Sequence, residues 1–153
     1  LKKNSSKLKY MSFRFGTIAG VSKGMRFHTA VNKFCLNAAL NQNIQIYKTA
    51  YDQYRPYLSL KDGFKIFKFC VEKDIFKNDT YNALSGNFTV RQIINLIKKY
   101  KKNVRTKFVK SKIMNQLSYF VDDSKIKKLG LNLKSDIKLD IKETLKIFNH
   151  LKK

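Results

Sequence analysis

Acidic residues, cysteines and long apolar runs are all scarce in this sequence. Only 10 Asp and Glu residues stand against 33 Lys and Arg residues, so the 153-residue chain carries a formal charge of +23. This excess favours an anionic partner such as nucleic acid, a phosphorylated metabolite or an acidic membrane surface. A general enrichment of the sequence in lysine would explain the positive charge equally simply. No apolar run reaches the roughly 20 residues of a membrane span, and no apolar signal-peptide segment follows the basic start.

The few cysteines and histidines exclude a recognisable metal site. Cys35 and Cys70 each fall on the apolar side of a predicted helix, so we expect buried free thiols in a reducing cytoplasm. With His28 and His150 they form no spacing that is typical of metal ligands. The sequence therefore predicts a cytoplasmic protein without a metal centre and without a membrane partner.

Apolar periodicity predicts strands that alternate with helices. Alternating apolar residues predict short strands at 10–18, 44–48, 57–60, 80–84, 108–113 and 117–121. Spacings of three and four predict longer helices at 27–39, 62–74, 90–102 and 137–151, with a helical turn at 122–129. Such alternation is typical of an α/β fold with parallel strands.

Two helices carry more specific signals. Thr89 and Gln92 match a capping box, which predicts the start of the third helix. In the second helix, Phe64, Phe67 and Val71 share one side with a cysteine, and we expect this side to face the core.

The segment around the single proline predicts an anion site. Arg55 directly precedes Pro56 and the predicted strand 57–60. The planar guanidinium of an arginine held at the start of a strand can bind a phosphate through two hydrogen bonds. A surface salt bridge is the alternative interpretation of Arg55.

Five segments of the chain occur in an order that points to one family. They are 13–20 (Phe-Arg-Phe-Gly-Thr-Ile-Ala-Gly), 26–34 (Arg-Phe-His-Thr-Ala-Val-Asn-Lys-Phe), 55–62 (Arg-Pro-Tyr-Leu-Ser-Leu-Lys-Asp), 81–86 (Tyr-Asn-Ala-Leu-Ser-Gly), and a closing pattern of Asp123, Lys125, Leu129-Gly130 and the helix at 141–151. From about Met11 to its end, the chain resembles the C-terminal half of an extended short-chain dehydrogenase/reductase, of the nucleotide-sugar epimerase/dehydratase family.

The resemblance implies an α/β fold that combines the last strands of an incomplete Rossmann-type domain with a small C-terminal α/β substrate-binding domain. Residues 1–20 would be the last part of the cofactor-binding domain and 21–54 a substrate-binding segment. Residues 55–86 would return to the Rossmann sheet, and 87–153 would form the C-terminal substrate-binding domain. The implied function is substrate binding within an NAD(P)-dependent nucleotide-sugar epimerase/dehydratase-like oxidoreductase, whose full-length form is an enzyme and a homodimer.

The resemblance also implies roles for individual residues. Phe15, Gly16 and Thr17 would lie beside the nicotinamide of NAD or NADP, which an N-terminal half would otherwise hold. The residues implied to bind the nucleoside-diphosphate sugar are Arg26, His28, Thr29, Asn32, Arg55 and Tyr57. Family members often carry Asn in place of Thr17, and the family's second phosphate-binding arginine is absent from 110–119.

The motifs that would carry the family's chemistry are missing from this chain. It has no Gly-x-x-Gly-x-x-Gly segment opening a βα unit and no Tyr-x-x-x-Lys pair. We therefore predict no catalytic residues here, and neither NAD(P) binding nor catalysis by this polypeptide alone. Because the first residue is leucine, we also expect it to be part of a longer protein.

Several residues keep a second interpretation. His28 is either a phosphate contact or a solvated neighbour of a helix start, and Tyr57 either stacks on a base or packs in the core. Lysines at 98–102 either bind nucleic-acid phosphates or form an ordinary solvated helix end. The alternative function is therefore a basic nucleic-acid-binding module.

Overall fold

The computed structural model describes residues 9–110 and 118–150, and within them strands alternate with helices. The strands are β1 (Met11–Phe15), β2 (Thr17–Ala19), β3 (Ile44–Tyr47), β4 (Tyr54–Ser59), β5 (Asp79–Ala83), β6 (Gly86–Thr89) and β7 (Thr106–Val109). The helices are α1 (Ala30–Ala39), α2 (Leu60–Glu72), α3 (Val90–Tyr100), α4 (Ser124–Lys127) and α5 (Ile137–Asn149), with a short 3-10 helix at Lys48–Ala50.

Parallel pairing predominates among the strands. Strand β1 pairs with β5, and β3 pairs with β7, both in parallel. Strand β4 pairs in parallel with β2 on one side and antiparallel with β6 on the other. The predicted α/β class is therefore confirmed. The sequence does not predict β6, because Gly86 and Asn87 are residue types that favour turns.

Two hydrophobic clusters hold these elements together. The first lies between α1, α3 and α5, and its largest fully buried side chains are Val31, Ile44, Ile46, Ile93, Ile94, Ile97, Ile137 and Ile141. The second lies between α2, α4 and the β4 and β5 strands, and its members include Leu58, Ile66, Cys70, Tyr81 and Ile126. Cys35 and Cys70 are both buried and free, as predicted. The division of the chain at residues 20, 54 and 86 stays a prediction.

Helices α3 and α5 begin where local sequence signals predict. Thr89 Oγ1 accepts a hydrogen bond from the backbone N–H of Gln92 at 3.1 Å, and Gln92 Oε1 accepts one from the backbone N–H of Thr89 at 2.8 Å. The predicted capping box is therefore confirmed. Helix α5 begins after Asp136, whose carboxylate accepts a hydrogen bond from the N–H of Lys138 at 2.9 Å.

The outer face of α2 contradicts the sequence prediction. Phe64, Phe67 and Val71 are 69%, 57% and 75% exposed, whereas Ile66 and Cys70 face the core. The spacing correctly identifies an apolar face, but within residues 9–110 and 118–150 no element covers it.

Three predicted boundaries also differ. The strand expected at 10–18 is divided at Gly16 into β1 and β2, and the strand expected at 57–60 begins at Tyr54 and ends before Leu60, which opens α2. Residues 118–121 form no strand, and the remainder of that predicted strand lies outside the described residues. None of the described helices has the length and apolar character needed to cross a membrane.

Candidate functional site

A cavity of about 500 Å³ opens beyond the end of β1, beside β2 and the loop that leads to α1. The residues lining it are Gly16, Thr17, Ile18, Gly20, Ser22, Gly24, Met25, Arg26, Thr29, Asn32 and Leu60. In α/β proteins ligands commonly bind beyond the carboxyl ends of parallel strands, which is where this cavity lies. Five predicted site residues are thus brought together, and Arg26 is the one charged residue among those that line the cavity.

Gly16 passes very close to neighbouring backbone, where a side chain would be tightly crowded. A Cβ atom here would lie 3.0 Å from backbone atoms of both Pro56 and Tyr57. The N–H of Gly16 donates a 2.9 Å hydrogen bond to the carbonyl of Ala83, at the end of β5. Gly16 therefore lets the chain pass from the β1–β5 sheet to β2, which pairs with β4 from Thr17 onward.

Phe15 lies away from this cavity. Its ring is 38% exposed, and it meets the Phe67 ring edge-on with 6.0 Å between centroids. It lines a second, apolar cavity together with residues of α2 and α5. Phe15 and Thr17 therefore border two different hollows.

The segment before α1 is not helical, which corrects the prediction of a helix from Arg26 or Phe27 onward. Helix α1 begins at Ala30, with Thr29 as its extended N-cap residue. The carbonyl of Arg26 accepts hydrogen bonds from Thr29 Oγ1 at 3.0 Å and from Asn32 Nδ2 at 3.1 Å. Such side-chain bonds to the backbone compete with helical pairing, so they form a turn that stops the helix from extending backward.

The start of α1 presents backbone donors beside the cavity. The first intrahelical hydrogen bond runs from the N–H of Lys33 to the carbonyl of Thr29 at 2.9 Å. The N–H groups of Ala30, Val31 and Asn32 precede it and lack partners within the helix. The N-terminal end of a helix therefore adjoins the cavity that Arg26 also lines, and both features favour an anion.

Asn32 lines the same cavity and carries an unpartnered acceptor. The residue is 4% exposed, and its Nδ2 is held by the Arg26 carbonyl. Its Oδ1 is buried and has no hydrogen-bond partner among the described residues. Buried polar atoms are nearly always paired in native proteins, so a ligand with a donor group would complete this one.

Arg55 does not line this cavity. The arginine stands on β4 opposite Phe88 of β6. Its Nη1 donates to the Tyr54 carbonyl at 2.8 Å, its Nη2 donates to Gln53 Oε1 at 2.9 Å, and its guanidinium carbon lies 4.9 Å from the centre of the Tyr119 ring. The expectation of one hollow shared by Arg55 and the start of α1 therefore does not match this cavity.

Tyr57 and His28 occupy contrasting environments. The Tyr57 side chain is 2% exposed and packs edge-on against Phe88, with 6.2 Å between ring centroids. Burial raises the pKa of Tyr57 to about 12, against the opposing effect of Arg55. His28 is exposed in the loop before α1 and does not line the cavity. Tyr57 therefore packs in the core, and its phenol stays protonated at neutral pH.

Sequence reasoning missed two buried carboxylates near the site. Asp62 is 0% exposed, and its carboxylate accepts hydrogen bonds from the hydroxyls of Ser85 and Ser135, each at 2.6 Å. Asp140 is 1% exposed, and its Oδ2 has no partner among the described residues. The signal for Asp140 was its position on the buried side of α5, three residues after Ile137 and one before Ile141.

Across the described ranges, no three His, Cys, Asp or Glu side chains gather as metal ligands. The cavity is bordered by the helix N–H groups and by one arginine, both of which favour an anion, and the sequence holds no glycine-rich phosphate loop.

The fold resembles that of several solved proteins. A UDP-glucuronic acid 4-epimerase from Bacillus cereus, solved with UDP-4-deoxy-4-fluoro-glucuronic acid and NAD, has a TM-score of 0.80 and 17% identity, over 94% of this chain and 46% of that one. A UDP-N-acetylglucosamine 4-epimerase from Methanobrevibacter ruminantium, in complex with UDP-N-acetylmuramic acid, has a TM-score of 0.76 and 19% identity, over 96% and 48%. RMD from Pseudomonas aeruginosa, complexed with NADPH, has a TM-score of 0.76 and 14% identity, over 94% and 48%.

No protein-family model matches the sequence. The chain spans slightly less than half the length of each of these solved structures. It therefore has the fold of the C-terminal half of nucleotide-sugar epimerases, as the order of its sequence motifs predicts.

Proposed function

We propose that this chain is the substrate-binding portion of an NAD(P)-dependent oxidoreductase that acts on a nucleotide sugar, in the manner of an epimerase or dehydratase. Support comes from the fold, because the structures it resembles include epimerases of UDP-sugars solved with NAD and UDP-sugar ligands. Further support comes from the composition of the cavity. It combines hydrogen-bond donors that suit an anion with an acceptor that suits a hydroxyl group.

The observation that carries the proposal is the unpartnered Oδ1 of Asn32 beside the start of α1. A diphosphate accepts hydrogen bonds and carries negative charge, so it suits the free N–H groups of α1 and the guanidinium of Arg26. A sugar hydroxyl attached to that diphosphate donates a hydrogen bond, which suits Asn32 Oδ1. One ligand that carries both a diphosphate and a sugar would therefore pair with all of these donors and with Asn32 Oδ1.

Other predicted contacts belong to the same proposal. The backbone at Gly16 and Thr17 would adjoin the reacting sugar carbon and the nicotinamide, and Thr29 would stabilise the loop that carries Arg26. Arg55 would reach the diphosphate from the β4 side, while Gln53 fixes its guanidinium. His28 would approach the same ligand from the exposed loop. Tyr57 would act by packing beneath the site.

The cofactor would be held mainly by a half of the fold that this chain does not span. When bound, NAD or NADP supplies hydride transfer, and the residues described above bind and orient the sugar nucleotide. We accordingly propose that the complete protein is an enzyme, with a homodimer and a cytoplasmic location as further parts of the proposal. The isolated chain would be inactive.

Isothermal titration of UDP-glucose into the purified protein tests the proposal, with NAD and the half of the fold that holds it both present. The variant Arg26→Ala should weaken binding at least tenfold, because it removes the charged donor from the cavity. The control is Arg91→Ala, which removes one equal charge from an arginine that is 53% exposed and paired with Asp52, away from the cavity. Equal losses in both variants, or no saturable binding, would refute the proposed site.

One observation favours a second function. A basic hollow of about 350 Å³ lies at the far end of α3 and is lined by Asn41, Lys101, Lys102, Asn103 and Arg105. Together with the formal charge of +23 this surface suits the phosphates of nucleic acid. Binding to a 20-nucleotide single-stranded DNA probe would then fall linearly on a log–log plot against salt, with a slope reduced by Lys101→Ala and Lys102→Ala. Absence of that slope change would exclude this function.

A further inference from the structure

The basic hollow of about 350 Å³ lies between the turn that follows α1 and the turn that follows α3. The N–H of Ile44 donates a 2.9 Å hydrogen bond to the carbonyl of Arg105, so the two turns are joined where β3 and β7 begin. Asn41 and Asn103, which both line the hollow, have left-handed backbone with φ of 55° and 60°. Asparagine tolerates this conformation better than most residues. The shape of the hollow is therefore set by two turns that are tied to each other.

The segment that borders this hollow carries cations without acidic partners. Residues 98–110 contain six lysines and one arginine and no aspartate or glutamate. The ion pairs found within the described residues use other cations, namely Lys61, Lys65, Lys68, Arg91, Lys125 and Lys127. Positive charge is therefore neutralised locally on α2 and α4, whereas it is left uncompensated around the hollow.

The helix ends beside the hollow do not cancel this charge. Helices α1 and α3 both end there, and the C-terminal end of a helix carries about half a negative elementary charge. Lys101, Lys102 and Arg105 bring three full positive charges to the lining. The hollow as a whole therefore attracts anions, and the side-chain amides of its two asparagines add neutral donors for phosphate oxygens.

Exposed aromatic rings flank these cations. Tyr100 is 40% exposed and directly precedes Lys101, and Phe108 is 52% exposed and follows Arg105 by three residues, on β7. Aromatic rings beside cations that bind phosphates are typical of proteins that bind single strands, because unpaired bases can stack on the rings. The bases of a duplex are already paired and stacked on one another. The aromatic residues therefore favour a single strand over a duplex.

We propose that the hollow and the rings of Tyr100 and Phe108 bind single-stranded nucleic acid, with phosphates in the hollow and unpaired bases on the rings. The inference rests on the second function proposed above, and it adds the strandedness of the ligand and the residues that contact its bases.

This surface is separate from the cavity proposed for the sugar nucleotide. Helix α1 begins at Ala30 beside that cavity, and Asn41 of the hollow follows its other end. At 1.5 Å per residue, the ten residues of α1 span about 15 Å. The two ligands therefore occupy opposite ends of one helix and do not compete for the same residues.

Fluorescence anisotropy with the purified full-length protein tests the inference. The probes are a 20-nucleotide single-stranded DNA of mixed sequence and the corresponding duplex, at equal salt. We expect the single strand to bind at least tenfold more tightly than the duplex. Tyr100→Leu and Phe108→Leu should each weaken binding of the single strand roughly tenfold, because each removes a surface on which a base stacks.

Matched variants separate stacking from folding. Phe67→Leu is the control for Phe108→Leu, since Phe67 is 57% exposed but lies on α2 and does not line the hollow. This control should leave the affinity for the single strand unchanged. Phe108 also packs edge-on against Tyr51, with 5.2 Å between ring centroids. If Phe108→Leu alters the melting temperature, Tyr100→Leu decides the result.

The salt dependence of binding distinguishes failure of this inference from failure of the function on which it rests. The two aromatic variants should leave the slope of the log–log salt plot unchanged, because they remove no phosphate contact. If Lys101→Ala and Lys102→Ala also leave that slope unchanged, the nucleic-acid function fails and the inference fails with it. If the lysine variants reduce the slope but Tyr100→Leu binds like the wild type, or the duplex binds as tightly as the single strand, the inference alone is overturned. Tighter association with phosphatidylserine vesicles than with the single strand would overturn both.

Discussion

Ser135 donates two hydrogen bonds to the buried carboxylate of Asp62, one from its backbone N–H at 2.8 Å and one from its hydroxyl at 2.6 Å. Ser85 donates a third at 2.6 Å, and Lys65 lies 2.9 Å from the other carboxylate oxygen. The start of α2 is thereby joined to the loop after β5 and to the segment that leads into α5. Asp62 therefore fixes three distant parts of the chain around one charge.

We expect Asp62→Asn to lower the free energy of unfolding by about 3 kcal/mol, since it replaces a buried acceptor of several charge-assisted hydrogen bonds. Urea denaturation followed by circular dichroism measures this change. Glu72→Gln is the control, because its exposed pair with Lys68 at 3.7 Å should contribute about 0.5 kcal/mol or less. Similar losses in the two variants would contradict the role of Asp62.

The effect of Asp62 should also depend on pH. Burial raises the pKa of Asp62, but hydrogen bonds from Ser135, Ser85 and Lys65 outweigh it and hold the pKa below its ordinary value. The stabilisation is therefore fully present above the unfolded pKa of about 3.9 and is lost as the pH falls through the lower folded value. The difference between wild type and Asp62→Asn should be constant at neutral pH and shrink under acid conditions.

Gly16→Ala should destabilise the fold by about 2 kcal/mol, because its Cβ would meet backbone atoms of Pro56 and Tyr57 at 3.0 Å and force two strands apart. Thermal unfolding detects this loss. Gly24→Ala provides the matched control, since its Cβ would meet nothing within 4 Å. The control should be neutral or slightly stabilising, and a loss equal to that of Gly16→Ala would count against the close-approach argument.

Much of the fold follows from local sequence signals. The Thr89–Gln92 capping box and the buried isoleucines of α3 depend on residues within one helix, so the sequence predicts them correctly. The start of α1 could not be predicted in the same way, because the Arg26 carbonyl is occupied by side chains of Thr29 and Asn32. Whether these side chains or the helical backbone bind the carbonyl depends on the geometry of the turn, which apolar spacing does not reveal.

The exposed face of α2 and the buried Asp140 were missed for a different reason. Whether Phe64 faces a core depends on what packs against its side of α2, and among the described residues the other side, with Ile66 and Cys70, is the one that faces the core. Five predicted site residues line one cavity because they lie near each other in sequence around β2 and α1. Arg55 lies apart from that cavity, and its guanidinium contacts Gln53, Tyr54 and Tyr119, the last of which is far from it in sequence.

Asp140→Asn should raise the stability of this chain at neutral pH by on the order of 1 kcal/mol, because it removes a buried negative charge whose Oδ2 has no hydrogen-bond partner among the described residues. Burial raises the pKa of Asp140, against the opposing effects of Ser59 and Lys61. The ionised carboxylate therefore destabilises the folded state above its raised pKa, and this penalty disappears as the pH falls below the unfolded value of about 3.9. Urea denaturation from pH 3 to pH 8 should show a gain that grows with pH. A loss of stability at pH 7 would show instead that the interactions of Asp140 with Ser59 and Lys61 outweigh the cost of burying its charge.

Asn32→Leu should distinguish the sugar from the diphosphate in the proposed site. If Asn32 Oδ1 accepts a hydrogen bond from a sugar hydroxyl, this variant should weaken UDP-glucose binding by roughly tenfold, the equivalent of one lost hydrogen bond. Binding of UDP alone should stay unchanged, because Thr29 Oγ1 still holds the Arg26 carbonyl and the N–H groups at the start of α1 remain. Isothermal titration of both ligands measures the two affinities. Asn37→Leu is the control, since Asn37 lies on the same helix without lining the cavity. An equal loss for UDP and UDP-glucose would show that Asn32 holds the loop of Arg26 in place instead of contacting the sugar.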